Sequence, residues 1–84
     1  MPTISMFYGI RIYMYQLDKE HNPPHIHATY GGKKASFNIA NGEIIKGSIP
    51  FRAQKMVKEF ITKYQNELIE MWNSAIITKL PGLE

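Results

Sequence analysis

Residues 10–15 read Ile-Arg-Ile-Tyr-Met-Tyr. This alternation sets Ile10, Ile12 and Met14 on one face of an extended strand and Arg11, Tyr13 and Tyr15 on the other. Bulk on both faces marks it as a central strand. Gly31-Gly32 reads as a two-residue hairpin turn, because glycine supplies the positive φ that type I′ and II′ turns require. Pairing outward from that turn sets Tyr30 opposite Lys33, Ala28 opposite Ala35 and Ile26 opposite Phe37 on one face. The other face receives Thr29 with Lys34, His27 with Ser36 and His25 with Asn38. Apolar and polar positions separate without conflict in this register, which supports it. Asn41-Gly42 marks a second turn. A three-residue loop over 40–42, with a left-handed Gly42 forming a bulge, predicts Phe37 opposite Ile45 and Ala35 opposite Gly47. Ile45 and Ile49 then face the core and Ile44 the polar side; a two-residue loop exchanges Ile44 and Ile45.

Beyond Pro50 neither Gly nor Pro recurs until Pro81. Ala53, Val57, Phe60, Tyr64, Leu68, Met71 and Ala75 recur at spacings of four and three, the apolar stripe of one long helix. Pro50 opens it with Ser48 as its candidate cap, and Glu59 and Lys63 form an outward i,i+4 pair. About 25 helical residues reach about 40 Å, longer than a small sheet can cover. Ile61, Ile69, Trp72 and Ile76 make a second apolar strip, to be covered by the tail Ile77 to Leu83 or by another subunit. The fold expected is α+β in a single domain over residues 1–84: a small antiparallel sheet of three or four strands (about 4–49), one long C-terminal helix (about 50–76) packed on one face, and a tail (77–84). The expected core holds Ile10, Ile12, Ile26, Ala28, Phe37, Ile45, Val57, Phe60 and Leu68.

Composition narrows the function classes. The chain has 84 residues, 44% hydrophobic and 20% charged, within the range of a single globular domain. It has no cysteine, which removes disulfides, thiolate metal sites and cysteine nucleophiles and points to a reducing, cytoplasmic setting. The start has no basic n-region and Arg11 interrupts the apolar run, so no export signal is expected. No apolar stretch approaches the ~20 residues of a membrane span. Ten Lys/Arg against seven Asp/Glu give a net charge of +3, which permits nucleic acid or an acidic partner without requiring either. Glycine-rich phosphate loops, nucleophile elbows and His-Glu-x-x-His helices are absent from the sequence.

All three histidines fall in His21-Asn22-Pro23-Pro24-His25-Ile26-His27. The prolines favour extended backbone entering the strand, so His25 and His27 share a face about 7 Å apart. Three readings compete. His21, His25 and His27, helped by Asp18 or Glu20, are candidate ligands for a divalent metal. His25 and His27 are alternatively the base and acid of a metal-independent, ribonuclease-like reaction, with Lys34 or Arg11 on the phosphate. The side that Arg11 takes relative to this face is undetermined. The third reading has the histidines filling a polar sheet face and locking the Pro-Pro turn. Arg11, Lys46, Arg52 and Lys55, with Lys58 beyond, are candidate phosphate contacts, although Glu59, Glu67 and Glu70 on the same helix suit an ordinary solvated face. Trp72, Tyr13 and Tyr15 are candidates for base stacking or for buried packing. Ile61, Ile69 and Trp72 form the candidate partner interface, and left exposed they would favour a homodimer.

Met1-Pro2-Thr3-Ile4-Ser5, Gly9 to Tyr15, the His21 to His27 segment, Tyr30-Gly31, Gly47-Ser48-Ile49-Pro50-x-Arg52-Ala53 and Glu67-Leu68-x-x-x-Trp72 together resemble the DUF4160 family of small bacterial proteins. The resemblance runs nearly the length of the chain, and the His-Asn-Pro-Pro-His-x-His segment is its most specific part. It implies no established reaction. Members of such a family are often encoded beside another small protein, in the manner of toxin–antitoxin pairs. The resemblance therefore implies a small protein partner encoded nearby, with RNA or DNA as the eventual target. The expectation is a non-enzymatic module of such a pair without a resident cofactor, and a ribonuclease-like toxin or a histidine-based metal protein as the alternative.

Overall fold

The computed structural model describes residues 3–14 and 23–83. Five antiparallel strands lie in one sheet in chain order: β1 (Thr3–Phe7), β2 (Ile10–Tyr13), β3 (His25–Tyr30), β4 (Lys33–Asn38) and β5 (Ile44–Gly47). Helices α1 (Phe51–Lys63) and α2 (Gln65–Ser74) follow. The fold is α+β, with five strands where three or four were expected and two helices where one was expected.

The β3–β4 hairpin has the expected register at every pair, from Tyr30↔Lys33 to His25↔Asn38. The unexpected strand is β1. Its pairing with β2 shifts between Thr3 and Ser5, so the consecutive residues Ile4 and Ser5 are both buried and the two-residue period is broken. Its turn is Tyr8-Gly9, with φ of +49° and +78°, the double positive φ of a type I′ hairpin with tyrosine in a position that usually holds Asn, Asp or Gly.

The β4–β5 turn corrects one expectation. Ala35 faces Gly47 and Ser36 faces Lys46, but Phe37 faces Ile44 rather than Ile45. The turn end is set by hydrogen bonds from Asn38 N to Glu43 O (2.8 Å) and from Gly42 N to Asn38 O (2.7 Å). Counting from Asn38–Glu43 puts Phe37 opposite Ile44, whereas Gly47 is held opposite Ala35, so one residue is surplus between them. Ile45 takes the bulge and is 46% exposed, while Ile44 packs on the core. Gly47 has φ +80°, and a Cβ there would collide with the Lys34 carbonyl oxygen.

Pro50 is the N-cap of α1 and Ser48 makes no capping bond. The expected single helix is broken at Tyr64 (φ −116°, ψ 25°), although bonds from Tyr64 N to Phe60 O and from Leu68 N to Tyr64 O bridge the break. The Gln65 side-chain amide donates to Ile39 O (2.9 Å) and Ala40 O (3.0 Å), tying the bend to the β4–β5 turn. A straight helix of about 25 residues would run about 38 Å, past the 30 Å longest dimension of the molecule; bending lays both halves on the sheet. α2 ends at Ala75 in the left-handed region (φ 61°), so Ala75 is an exposed cap rather than part of the buried stripe.

The second apolar strip is mostly buried. Ile61 and Trp72 are 2% and 6% exposed, and Ile69 packs partly against the core; only Ile76, past the end of α2, is open. Ile77, Leu80 and Leu83 of the tail join the same cluster, and Leu80 N donates to Ile4 O (2.8 Å) along the outer edge of β1. The expected core is present apart from Ile45. Phe7 of β1 stacks on Phe60 of α1 at 5.2 Å, joining sheet and helix.

Candidate functional site

The helices cover the face of the sheet that carries Ile10, Ile12, Ile26 and Phe37. The strand pairings order the opposite face into rows. One row runs Met6, Arg11, Thr29, Lys34, and the next Tyr13, His27, Ser36, Lys46. Arg11 therefore shares a face with His25, His27 and Lys34, which settles the side it takes.

The second row lines a cavity of about 200 Å³ together with Lys34 and Gly47. His27 is held from two directions. Its Nδ1 shares a 3.2 Å hydrogen bond with Ser36 Oγ, and its ring stacks on Tyr13 at 5.2 Å with only 14° between planes. Arg11 sits with its guanidinium carbon 5.2 Å from the centre of the Tyr13 ring, and its Nε donates to Thr3 Oγ1 at 2.8 Å. A cation over a tyrosine face is favourable by about 0.5–1 kcal/mol when exposed and more when desolvated.

His25 is differently placed. Its ring lies 5.0 Å from His27, edge to face, and 5.1 Å from Trp72 of α2. Nδ1 donates to Pro23 O at 2.8 Å, the carbonyl being able only to accept, and the residue is 5% exposed. His25 thus ties the Pro-Pro entry of β3 to the end of α2 and does not line the cavity. Of the proposed catalytic trio, the structure gathers His27 and Lys34 in the cavity and buries His25 beside His27 against Trp72.

The phosphate-contact candidates divide. Lys46 joins Lys34 at the cavity, with Arg11 one row away. Arg52 and Lys55 are exposed on α1, which packs on the opposite face of the sheet, and Lys55 Nζ lies 5.8 Å over the Phe51 ring. Of the metal candidates, His21, Asp18 and Glu20 lie outside the described residues; among the described residues no group of three His, Cys, Asp or Glu side chains could hold an ion. Of the expected partner interface, Ile61 and Trp72 are part of the chain's own core and Ile69 packs partly buried against it.

Charge separates between the layers. The five strands carry Arg11, Lys33, Lys34 and Lys46 and no Asp or Glu; the described carboxylates are Glu43 in the β4–β5 turn and Glu59, Glu67 and Glu70 on the helices. Sequence reasoning missed Ser36 and Tyr13 as lining residues. Ser36 was available from the hairpin register, which sets it opposite His27. Tyr13 required the β2–β3 pairing, whose register the long connection with its Pro-Pro turn does not set. Among the described residues no helix is long and apolar enough to cross a membrane.

The family model for the domain of unknown function DUF4160 matches residues 9–73, and the chain belongs to that family. No match to the chain was found among curated proteins or among solved structures.

Proposed function

We propose that this DUF4160 member is a non-catalytic binding module, one half of a toxin–antitoxin-like pair with a small protein encoded nearby, whose polar sheet face contacts the phosphates of nucleic acid. The observation that carries the nucleic-acid half is the cavity lined by Lys34, Lys46, His27 and Ser36 on a sheet without carboxylates. Lysines give point charges to a phosphate, the hydroxyl and imidazole give hydrogen-bond partners, and no acidic side chain of the strands opposes a polyanion. A nucleic-acid partner leaves the helical face free to stay as it is, packed on the core.

The test is fluorescence anisotropy of labelled oligonucleotides across a salt series. Neutralisation of about three phosphates by Arg11, Lys34 and Lys46 gives a slope of log K against log salt near −2 for single strands and near −3 for duplex. Changing Lys34 and Lys46 together to Ala removes two contacts and should shallow the single-strand slope by about 1.4. An unchanged slope, or no binding by the wild type at low salt, rejects the nucleic-acid half. Co-expression with the neighbouring small protein followed by pull-down tests the pair, and absence of a complex rejects that half.

The ribonuclease reading has weaker support, because an acid–base pair needs two groups facing one phosphate and only His27 of the two histidines lines the cavity. RNA cleavage that survives a chelator and is lost in His27→Ala would replace the binding reading with that one.

A further inference from the structure

The size and lining of the cavity on the polar face limit what enters it. Its volume is about 200 Å³, under the roughly 300 Å³ at which sites for drug-sized ligands begin. That is room for a phosphate group and part of its ester, not for a whole nucleotide. Its aromatic wall is not open to a base, for Tyr13 is 3% exposed and its ring stacks on His27. Lys34 and Lys46, both exposed, bring two cations to this one small volume, and no carboxylate is among the described residues that line it. The Ser36–His27 pair adds a donor whose sense the ligand sets. A phosphate dianion only accepts, so the Ser36 hydroxyl turns toward it and Ser36 Oγ takes the Nδ1–H of His27 across their 3.2 Å contact. Both members of the pair stay satisfied in that arrangement.

We infer that the cavity seats a terminal phosphate, the phosphomonoester at the end of a nucleic-acid strand, so that the protein engages strand ends in preference to strand interiors. The inference rests on the phosphate-contacting face proposed above and names the phosphate that face selects. An internal phosphodiester carries one negative charge and two non-bridging oxygens, and the strand leaves it in both directions. A terminal phosphomonoester carries about −1.5 to −2 charges at pH 7 and three strong acceptor oxygens, and the strand leaves it in one direction only. The second set matches two ammonium groups and a hydroxyl around a volume too small to pass a strand through. Arg11 stands on the same face in the neighbouring row, in line with Lys34, where the next phosphate of the departing strand passes.

The experiment measures anisotropy of a ten-nucleotide strand, labelled on an internal base, with hydroxyl ends, with a 5′-phosphate or with a 3′-phosphate. A hydroxyl-ended strand of twelve nucleotides, which has two more internal phosphates, controls for added charge. One phosphorylated end should bind the wild type about 10-fold more tightly than the hydroxyl-ended strand, the effect of one added charge-assisted hydrogen bond, and the end that gains gives the polarity. The longer strand should gain no more than its charge supplies, well short of that. Lys46→Gln and Ser36→Ala should each lose most of the 10-fold advantage, with circular dichroism checking the fold of both. Lys33→Gln makes the same charge change at an exposed residue that the register puts on the other face, and it should keep the advantage. Equal binding of phosphorylated and hydroxyl-ended strands, an advantage matched by the longer strand, or one unmoved in both cavity variants overturns the terminal-phosphate seat, while the salt slope still reports the phosphate face. Failure of the wild type to bind any of the strands overturns both.

Discussion

Gly47→Ala tests whether β5, and with it Lys46 and one wall of the cavity, is seated as rigidly as the register implies. Two effects oppose an alanine there. The residue has φ +80°, and the new Cβ would run into the Lys34 carbonyl oxygen, with Ala35 Cα at 3.2 Å behind it. The first effect is backbone strain of about 1 kcal/mol. The second cannot be relieved by a rotamer change, since the obstacle is main chain, so β5 must move away from β4. That movement endangers the Ser48 N to Lys34 O hydrogen bond of 3.1 Å, which is worth about 1 kcal/mol. A total of about 2 kcal/mol is expected, a large share of the roughly 4–12 kcal/mol that stabilises a domain of this size. Gly32→Ala is the internal control: its φ is +81°, yet nothing lies within 4 Å of its would-be Cβ. It carries the strain without the collision and should cost about 1 kcal/mol. Urea unfolding followed by fluorescence of the single tryptophan, Trp72, reads both variants. If the two differ by less than about 0.5 kcal/mol, the edge strand yields freely and the close approach of β5 to β4 is not what positions Lys46.

Two further predictions concern the core. Ser5 is 6% exposed and its hydroxyl finds no hydrogen-bond partner among the described residues, so Ser5→Ala should raise stability by about 1 kcal/mol in the same urea assay; a loss of stability would show that the hydroxyl is satisfied. Ile61→Ala should cost about 2–4 kcal/mol in the isolated chain, since Ile61 is 2% exposed. A near-neutral effect would return that strip to an intermolecular interface.

Local chemistry and simple periods were enough for much of this protein. Two adjacent glycines with alternating residues on either side determined the β3–β4 pairing down to each partner, because a two-residue turn leaves no freedom of register. The same pairing put His27 opposite Ser36 and Lys34 on the same face, so half of the cavity was legible in the sequence. The apolar stripe likewise assigned Val57, Phe60 and Leu68 to the core. Other features depend on distances that only the assembled chain has. The bulge at Ile45 arises because the Asn38–Glu43 closure and the Gly47–Ala35 contact are both satisfied, and neither alone determines what lies between. β1 hides its strand character because its bulge places two neighbours inward. The side that Arg11 takes, and the part Tyr13 plays beside His27, follow from the pairing of β2 with β3 across a connection too long for its Pro-Pro turn to set the register. The helix bends at Tyr64 because the sheet beneath is shorter than a straight helix of that length, and Gln65 anchors the bend to carbonyls about 25 residues earlier. Ile61 and Trp72, read from periodicity as an exposed strip, are core residues, and Trp72 packs against His25. Periodicity records which side of a helix is apolar; what that side meets is decided by the length and curvature of the surface beneath it.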